Sequence, residues 1–189
     1  MATREEIIQK LVDEFVGAAH GDFEKVQEML AEYPDLINAD ASWNELAIEA
    51  AAQTGRVDIA QFLLAAGAPL DICTAAMLGD KEKVLQFLDQ DPQASQARGA
   101  HGIPVLYFPV IRSQREVAAL LLDRGAQVNA GEYGYPPLHG AILFNQIEMV
   151  KWLLENGADR NLKDYDGQTP LERAEEHKRK EIIQILKSS

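Results

Sequence analysis

The sequence predicts an all-α chain, a solenoid of about six stacked helix pairs joined by short β-turn fingers. Three observations carry that expectation. Turn glycines recur at a fixed distance, Gly102, Gly134 and Gly167 lying 32 and 33 residues apart and Gly125 and Gly157 lying 32 apart. Within each interval apolar residues repeat at helical spacing: Val117, Leu120 and Leu121, then Val150, Leu153 and Leu154, then Ile182, Ile185 and Leu186. The composition, 47% hydrophobic and 25% charged over 189 residues, is that of a folded globular chain long enough to bury a core. A single helix pair cannot hide its apolar face, whereas neighbours of the same shape can hide it for one another.

Taken from the N-terminus, the units are expected at 5–39, 40–67, 68–98, 99–130, 131–163 and 164–189, forming one domain. The first ends on Tyr33-Pro34, where proline stops the helix by removing a donor and clashing with the preceding turn. The second, WNELAIEAAAQTGRVDIAQFLLAAGAP, carries Asn44 at the turn, and asparagine tolerates the left-handed region next best after glycine. The third, CTAAMLGDKEKVLQFLDQDP, is shortened: Gly55 to Gly79 is only 24 residues, so about one finger is deleted. A notch near Ala68 to Thr74 is the expected consequence. The fourth and fifth start on Gly-x-Pro stations with Pro104 and Pro136, and Gly125 and Gly157 end their second helices. Pro109, near the start of its helix, is expected to cost little there. In the sixth, Thr169 can cap orphan amides while Pro170 takes the first helical position. Leu106, Leu138 and Leu171 follow these starts and are expected to point inward. The charged run EEHKRK at 175–180 fits a polar terminal cap.

The stretch GYPPLHGAILFNQIEMVKWLLENGADRN resembles an ankyrin repeat, with its Gly-x-Thr-Pro-Leu-His start and Gly-Ala-Asp-x-Asn finish. The tetratricopeptide repeat has a similar period but lacks those stations. The block from AAMLGD to GAHGIPVL is similar to a bacterial subset of ankyrin-repeat proteins. The resemblance implies that partners dock on a concave face lined by the finger tips and first helices. Carried over station by station, it selects Trp43, Glu45, His101, Ile103, Phe108, Arg112, Tyr133, Tyr135 and Tyr165 as partner-contacting. Tyr107 and Phe144 occupy similar stations but can equally fold inward. Large rings suit such a face because they bury much area at little entropic loss. The resemblance also implies that His139 bridges neighbouring turns.

Chemistry is sparse. The four histidines, His20, His101, His139 and His177, stand at unrelated spacings, and neither a metal-ligand motif, a phosphate loop nor a nucleophile elbow occurs. No cofactor, metal site or catalytic residue is therefore expected, and the chain is read as no enzyme. Asp164, Asp166, Glu175 and Glu176 are read as solvated. The single cysteine, Cys73, excludes an internal disulfide framework and reads as a buried small hydrophobe. The charge is −12 overall, and residues 1–99 hold 7 Lys and Arg against 18 Asp and Glu. An acidic front half repels phosphate backbones, which argues against nucleic acid, and it could steer a basic partner. No run is apolar and long enough for a membrane span or secretory signal. The expectation is a cytoplasmic monomer that binds another protein. The alternative is a ligand-sensing or regulatory subunit using the notch beside the shortened third unit.

Overall fold

The computed structural model describes residues 3–188 and contains twelve α-helices in that range. They form six antiparallel-type pairs in chain order: α1 (Arg4–Ala19) with α2 (Phe23–Glu32), α3 (Ala47–Gln53) with α4 (Val57–Ala65), and α5 (Ile72–Leu78) with α6 (Lys81–Gln90). Then follow α7 (Tyr107–Ile111) with α8 (Arg115–Asp123), α9 (Pro137–Leu143) with α10 (Ile147–Glu155), and α11 (Pro170–Glu176) with α12 (Lys180–Lys187). The odd-numbered helices pack on one another in sequence, α1 on α3, α3 on α5, and so on to α9 on α11. The even-numbered helices form a second layer behind them, with α2 on α4, α6 on α8 and α10 on α12. Among the described residues no β-strand forms, only two isolated bridges, Arg98 with Pro104 and Gly134 with Asp164.

The local reasons match the residues. Thr169 accepts from the Glu172 amide while Glu172 reaches back to the Thr169 amide, and Pro170 fills the first helical position of α11. Asp22, Asp71 and Asp80 cap α2, α5 and α6 in the same way, each accepting from the amide three residues on. Asn44 adopts φ 58° at its turn, and Gly125 and Gly157 sit at 100° and 86° just beyond α8 and α10. One apolar core runs the length of the row, with Phe15, Ile48, Leu63, Met77, Leu106, Leu121 and Ile142 fully buried. Leu106 and Leu138 turn inward, but Leu171 is only half-buried because the last pair has a neighbour on one side alone.

The shortened third unit behaves differently from expectation. The link between α4 and α5 carries no finger, and the expected notch is largely filled: Ala68, Ile72, Cys73 and Thr74 are buried and Leu70 and Asp71 half-buried, with Pro69 alone exposed. The fourth finger leans across, its Ala100–Gly102 turn packing against α3 of the second unit. Phe108 swings over Gly99, where an added Cβ would lie 2.7 Å from the Phe108 ring and 3.6 Å from Cys73 Sγ. Burial, followed by Asp71 and Glu49, raises the Cys73 thiol pKa well above the ordinary value, so the thiol stays protonated and inert.

Candidate partner-binding face

The finger tips and the inner row of helices frame a cavity of about 400 Å³ lined by His20, Gln53, Thr54, His101, Ile103, Tyr107, Tyr135 and Phe144. Its walls come from four separate units. His20 caps α1, Gln53 and Thr54 end α3, His101 and Ile103 belong to the fourth finger, and Phe144 caps α9. Tyr107 opens α7 and Tyr135 comes from the fifth finger. The rings form a ladder along one wall: Tyr107 meets Tyr135 edge-on at 6.3 Å, and Tyr135 meets Tyr165 tilted at 5.1 Å. Burial first, then the Tyr165, Asp166 and Glu45 charges, raises the Tyr135 pKa. Tyr107 is raised further, chiefly by burial.

Behind the His20–His101 rim lies a carboxylate. Glu45 is 0% exposed. Its Oε2 accepts from Trp43 Nε1 at 2.6 Å and its Oε1 from Gln53 Nε2 at 2.7 Å. His20 Nε2 and His101 Nε2 stand 3.6 and 3.5 Å from the same Oε2. Among the described residues these histidines are its sole ion-pairing neighbours, and they supply a countercharge only when protonated. Nearby Glu49 is half-buried; burial raises its pKa, the Leu46 amide opposes that rise, and Asp71, Glu45 and Asp40 add to it. This corner of the face is therefore negative, and no Lys or Arg lines the cavity.

The last unit holds a comparable carboxylate with the opposite outcome. Asp164 is 1% exposed, and Arg173 Nε donates to its Oδ2 at 2.7 Å. Arg173 also donates to Asp166 at 2.6 Å and Glu176 at 2.8 Å, and its guanidinium carbon lies 5.3 Å from the Tyr165 ring centre. Burial opposes the Arg173 charge, but the bonds to Asp166 and Asp164 outweigh it and raise the pKa. The reading of Asp164 as solvated is thus corrected: its Oδ1 also accepts from the Asp166 and Gln168 amides, which pins the finger and draws the side chain inward.

The nine residues selected from the sequence divide clearly. Trp43, Tyr133 and Tyr165 are exposed, at 41, 68 and 50%. Tyr133 adopts φ 56° at its tip, and its amide bonds to Lys163 O while the Tyr165 amide bonds to Gly134 O, tying the fifth finger to the sixth. Tyr135 is half-buried and His101 exposed, and both line the cavity. Arg112 is exposed at the end of α7, its stem lying over Gly55, outside the cavity lining. Phe108, Ile103 and Glu45 are corrected from open surface to interior. Phe108 fills the space Gly99 leaves, Ile103 shows only an edge to the cavity, and Glu45 is enclosed by its donors. His20, Gln53 and Thr54 were not selected from the sequence. The signal for them was the deleted finger, which lets the fourth finger reach across the third unit to the second and brings His20 and His101 to one carboxylate. His139 does bridge turns, its Nε2 lying 3.0 Å from Gln168 O.

Comparison with known families bears on the fingers as a set. A model of the ankyrin repeat matches residues 46–75, and one of three consecutive ankyrin repeats matches residues 72–164. The chain is an ankyrin-repeat protein. Ankyrin repeats are typically protein–protein interaction modules and usually lack catalytic function. No curated protein matches this ankyrin-repeat chain. Among the described residues no helix is long and apolar enough to cross a membrane, and no three His, Cys, Asp or Glu side chains are placed to hold a metal ion.

Proposed function

We propose that this chain is a non-catalytic binding module, working as a cytoplasmic monomer, that docks a segment of another protein across its finger tips and inner helices. One observation carries the reading: Trp43 on the second finger and Tyr133 and Tyr165 on the fifth and sixth stand exposed on either side of a cavity of mixed polar and aromatic lining. Exposed large rings cost hydration in the free protein, and a partner that covers them recovers it. Ring anchors beside a pocket are the usual place where interface energy concentrates. The small-ligand alternative moves from the filled notch to the concave cavity, whose volume falls at the low end of ligand sites. The flanking rings lie outside that cavity, and they favour an occupant longer than a metabolite.

The test is a capture comparison in extract of the native host between the intact chain and a Trp43→Ala, Tyr133→Ala, Tyr165→Ala variant. All three side chains are exposed, but Trp43 also donates to the buried Glu45, so the comparison is made only with variant protein whose helical circular dichroism and urea midpoint match those of the intact chain. Proteins retained by the intact chain and lost by the variant are the expected result. Recovery of the same proteins by both would remove the concave-face assignment.

A further inference from the structure

We propose that the concave cavity is a subsite for a single arginine side chain presented by the partner protein. This rests on the concave-face reading above and adds the chemistry of the residue that enters. The argument compares two buried carboxylates in one chain. Asp164 has a resident arginine, Arg173, which it shares with Asp166 and which lies against the Tyr165 ring. Glu45 has the same burial and the same company of tyrosines at one remove, but no resident guanidinium.

Burying a carboxylate without a permanent countercharge is costly, and two neutral donors with two imidazoles offset only part of that cost. An incoming cation completes the compensation. The walls suit a guanidinium in particular. Ile103 and Phe144 offer apolar surface to a methylene stem, and the half-buried Tyr135 ring, with the margin of Tyr107 that lines the cavity, offers aromatic surface to a planar cation. Acceptors are available as well: among the described residues no hydrogen bond engages Gln53 Oε1 or the Tyr107 and Tyr135 hydroxyls. Glu45 lies one side chain from the cavity, its Oε2 3.6 and 3.5 Å from the lining residues His20 and His101. The excess of 18 acidic over 7 basic residues in the front half supplies the same sign at longer range.

The experiment uses the full chain, isotope-labelled, titrated with N-acetyl-arginine-N-methylamide and with its uncharged isostere N-acetyl-citrulline-N-methylamide, and followed by amide and side-chain resonances. Saturating shifts at the Gln53 side chain, His101 and Ile103 are expected with arginine, and binding of citrulline should be at least about tenfold weaker. Glu45→Gln should bring arginine down to the citrulline level. Because that change touches a buried group, Thr54→Arg provides a second arm: Thr54 is half-buried at the cavity edge, and a resident arginine there should abolish the arginine response while helical circular dichroism is kept. Equal binding of both probes, arginine shifts confined to other parts of the chain, or an unaltered response in Thr54→Arg would overturn the proposal, and a stronger response to the lysine analogue than to arginine would do the same. A captured partner that needs Trp43, Tyr133 and Tyr165 yet binds Thr54→Arg as well as the intact chain would sink this subsite and leave the concave face standing.

Discussion

At the scale of single residues, Arg173 and Asp164 make the sharpest forecast. Arg173 serves three carboxylates, of which Asp164 is enclosed while Asp166 and Glu176 are about half exposed. Removing one partner of a buried ion pair leaves the other charge without compensation, so Arg173→Met should cost about 3–5 kcal/mol in a urea titration. Asp166→Asn, which cuts a solvent-screened contact, should cost under about 1 kcal/mol. His139 carries a pH dependence of defined sign. Its Nε2 must hold the proton to donate to Gln168 O, while its Nδ1 is buried with no partner among the described residues. Burial lowers the His139 pKa; the Gln168 bond and Asp164 oppose that, and Arg173 adds to it. The folded chain therefore binds fewer protons than the unfolded chain below the ordinary histidine value of about 6.5, and stability falls as pH drops through that point. Urea midpoints at pH 7.5 and 5.5 should differ more for the native chain than for His139→Gln. Equal differences would mean that other groups set the acid response. Residue type at a finger station was legible in the sequence; ring direction was not. Ile103 and Tyr135 each follow a turn glycine, yet Ile103 is buried and Tyr135 only half-buried, while Phe108, inside α7, fills the space that Gly99 leaves.

At the scale of elements, helix pairs and their caps followed from local chemistry, because a threonine–proline start or a left-handed glycine acts on its own turn. The contact between α7 and α9 was hidden, since it depends on two residues from different units. Gly140 in α9 lets the Tyr107 ring approach the helix closely: an added Cβ would fall 2.6 Å from that ring and 3.1 Å from Ile111. Both neighbours are buried and cannot withdraw into solvent. Gly140→Ala gains helix propensity worth about 1 kcal/mol. Overpacking a tight core typically costs about 1–3 kcal/mol, so the net effect should be a loss. The loss should be accompanied by movement of the Tyr107 wall, read as shifted Tyr135 and Ile103 resonances. Unchanged stability with unchanged resonances would show that the row of inner helices slides easily at this contact. The deleted finger was likewise visible as a 24-residue interval, while its closure by the fourth finger was not, because closure depends on the reach of Glu45, His101 and Phe108 in space.

For the whole molecule, stacked pairs that touch only their neighbours should unfold in blocks whose stabilities are set locally. Two features divide the row unequally. The contact of the fourth finger with α3, reinforced by His101 beside Glu45, skips the third unit and ties the second to the fourth. The fifth finger instead bonds to the sixth through Tyr133 and Tyr165 amides, and His139 and Arg179 add bonds from the fifth unit to the sixth. The expected outcome is two cooperative blocks, one spanning α1 to α8 and one spanning α9 to α12, with the fourth-to-fifth bonds from Gln146 to Ile111 O and from Asn129 to Gly157 O opening between them. Native-state hydrogen exchange on the Arg173→Met variant distinguishes this from a single cooperative unit. Amides of α9 to α12 should lose protection by the full amount of the destabilisation, while α1 to α8 keep theirs, because no bond from Arg173 reaches that far. An equal loss in all twelve helices would show that the core running through the inner row couples the blocks more strongly than the finger contacts divide them.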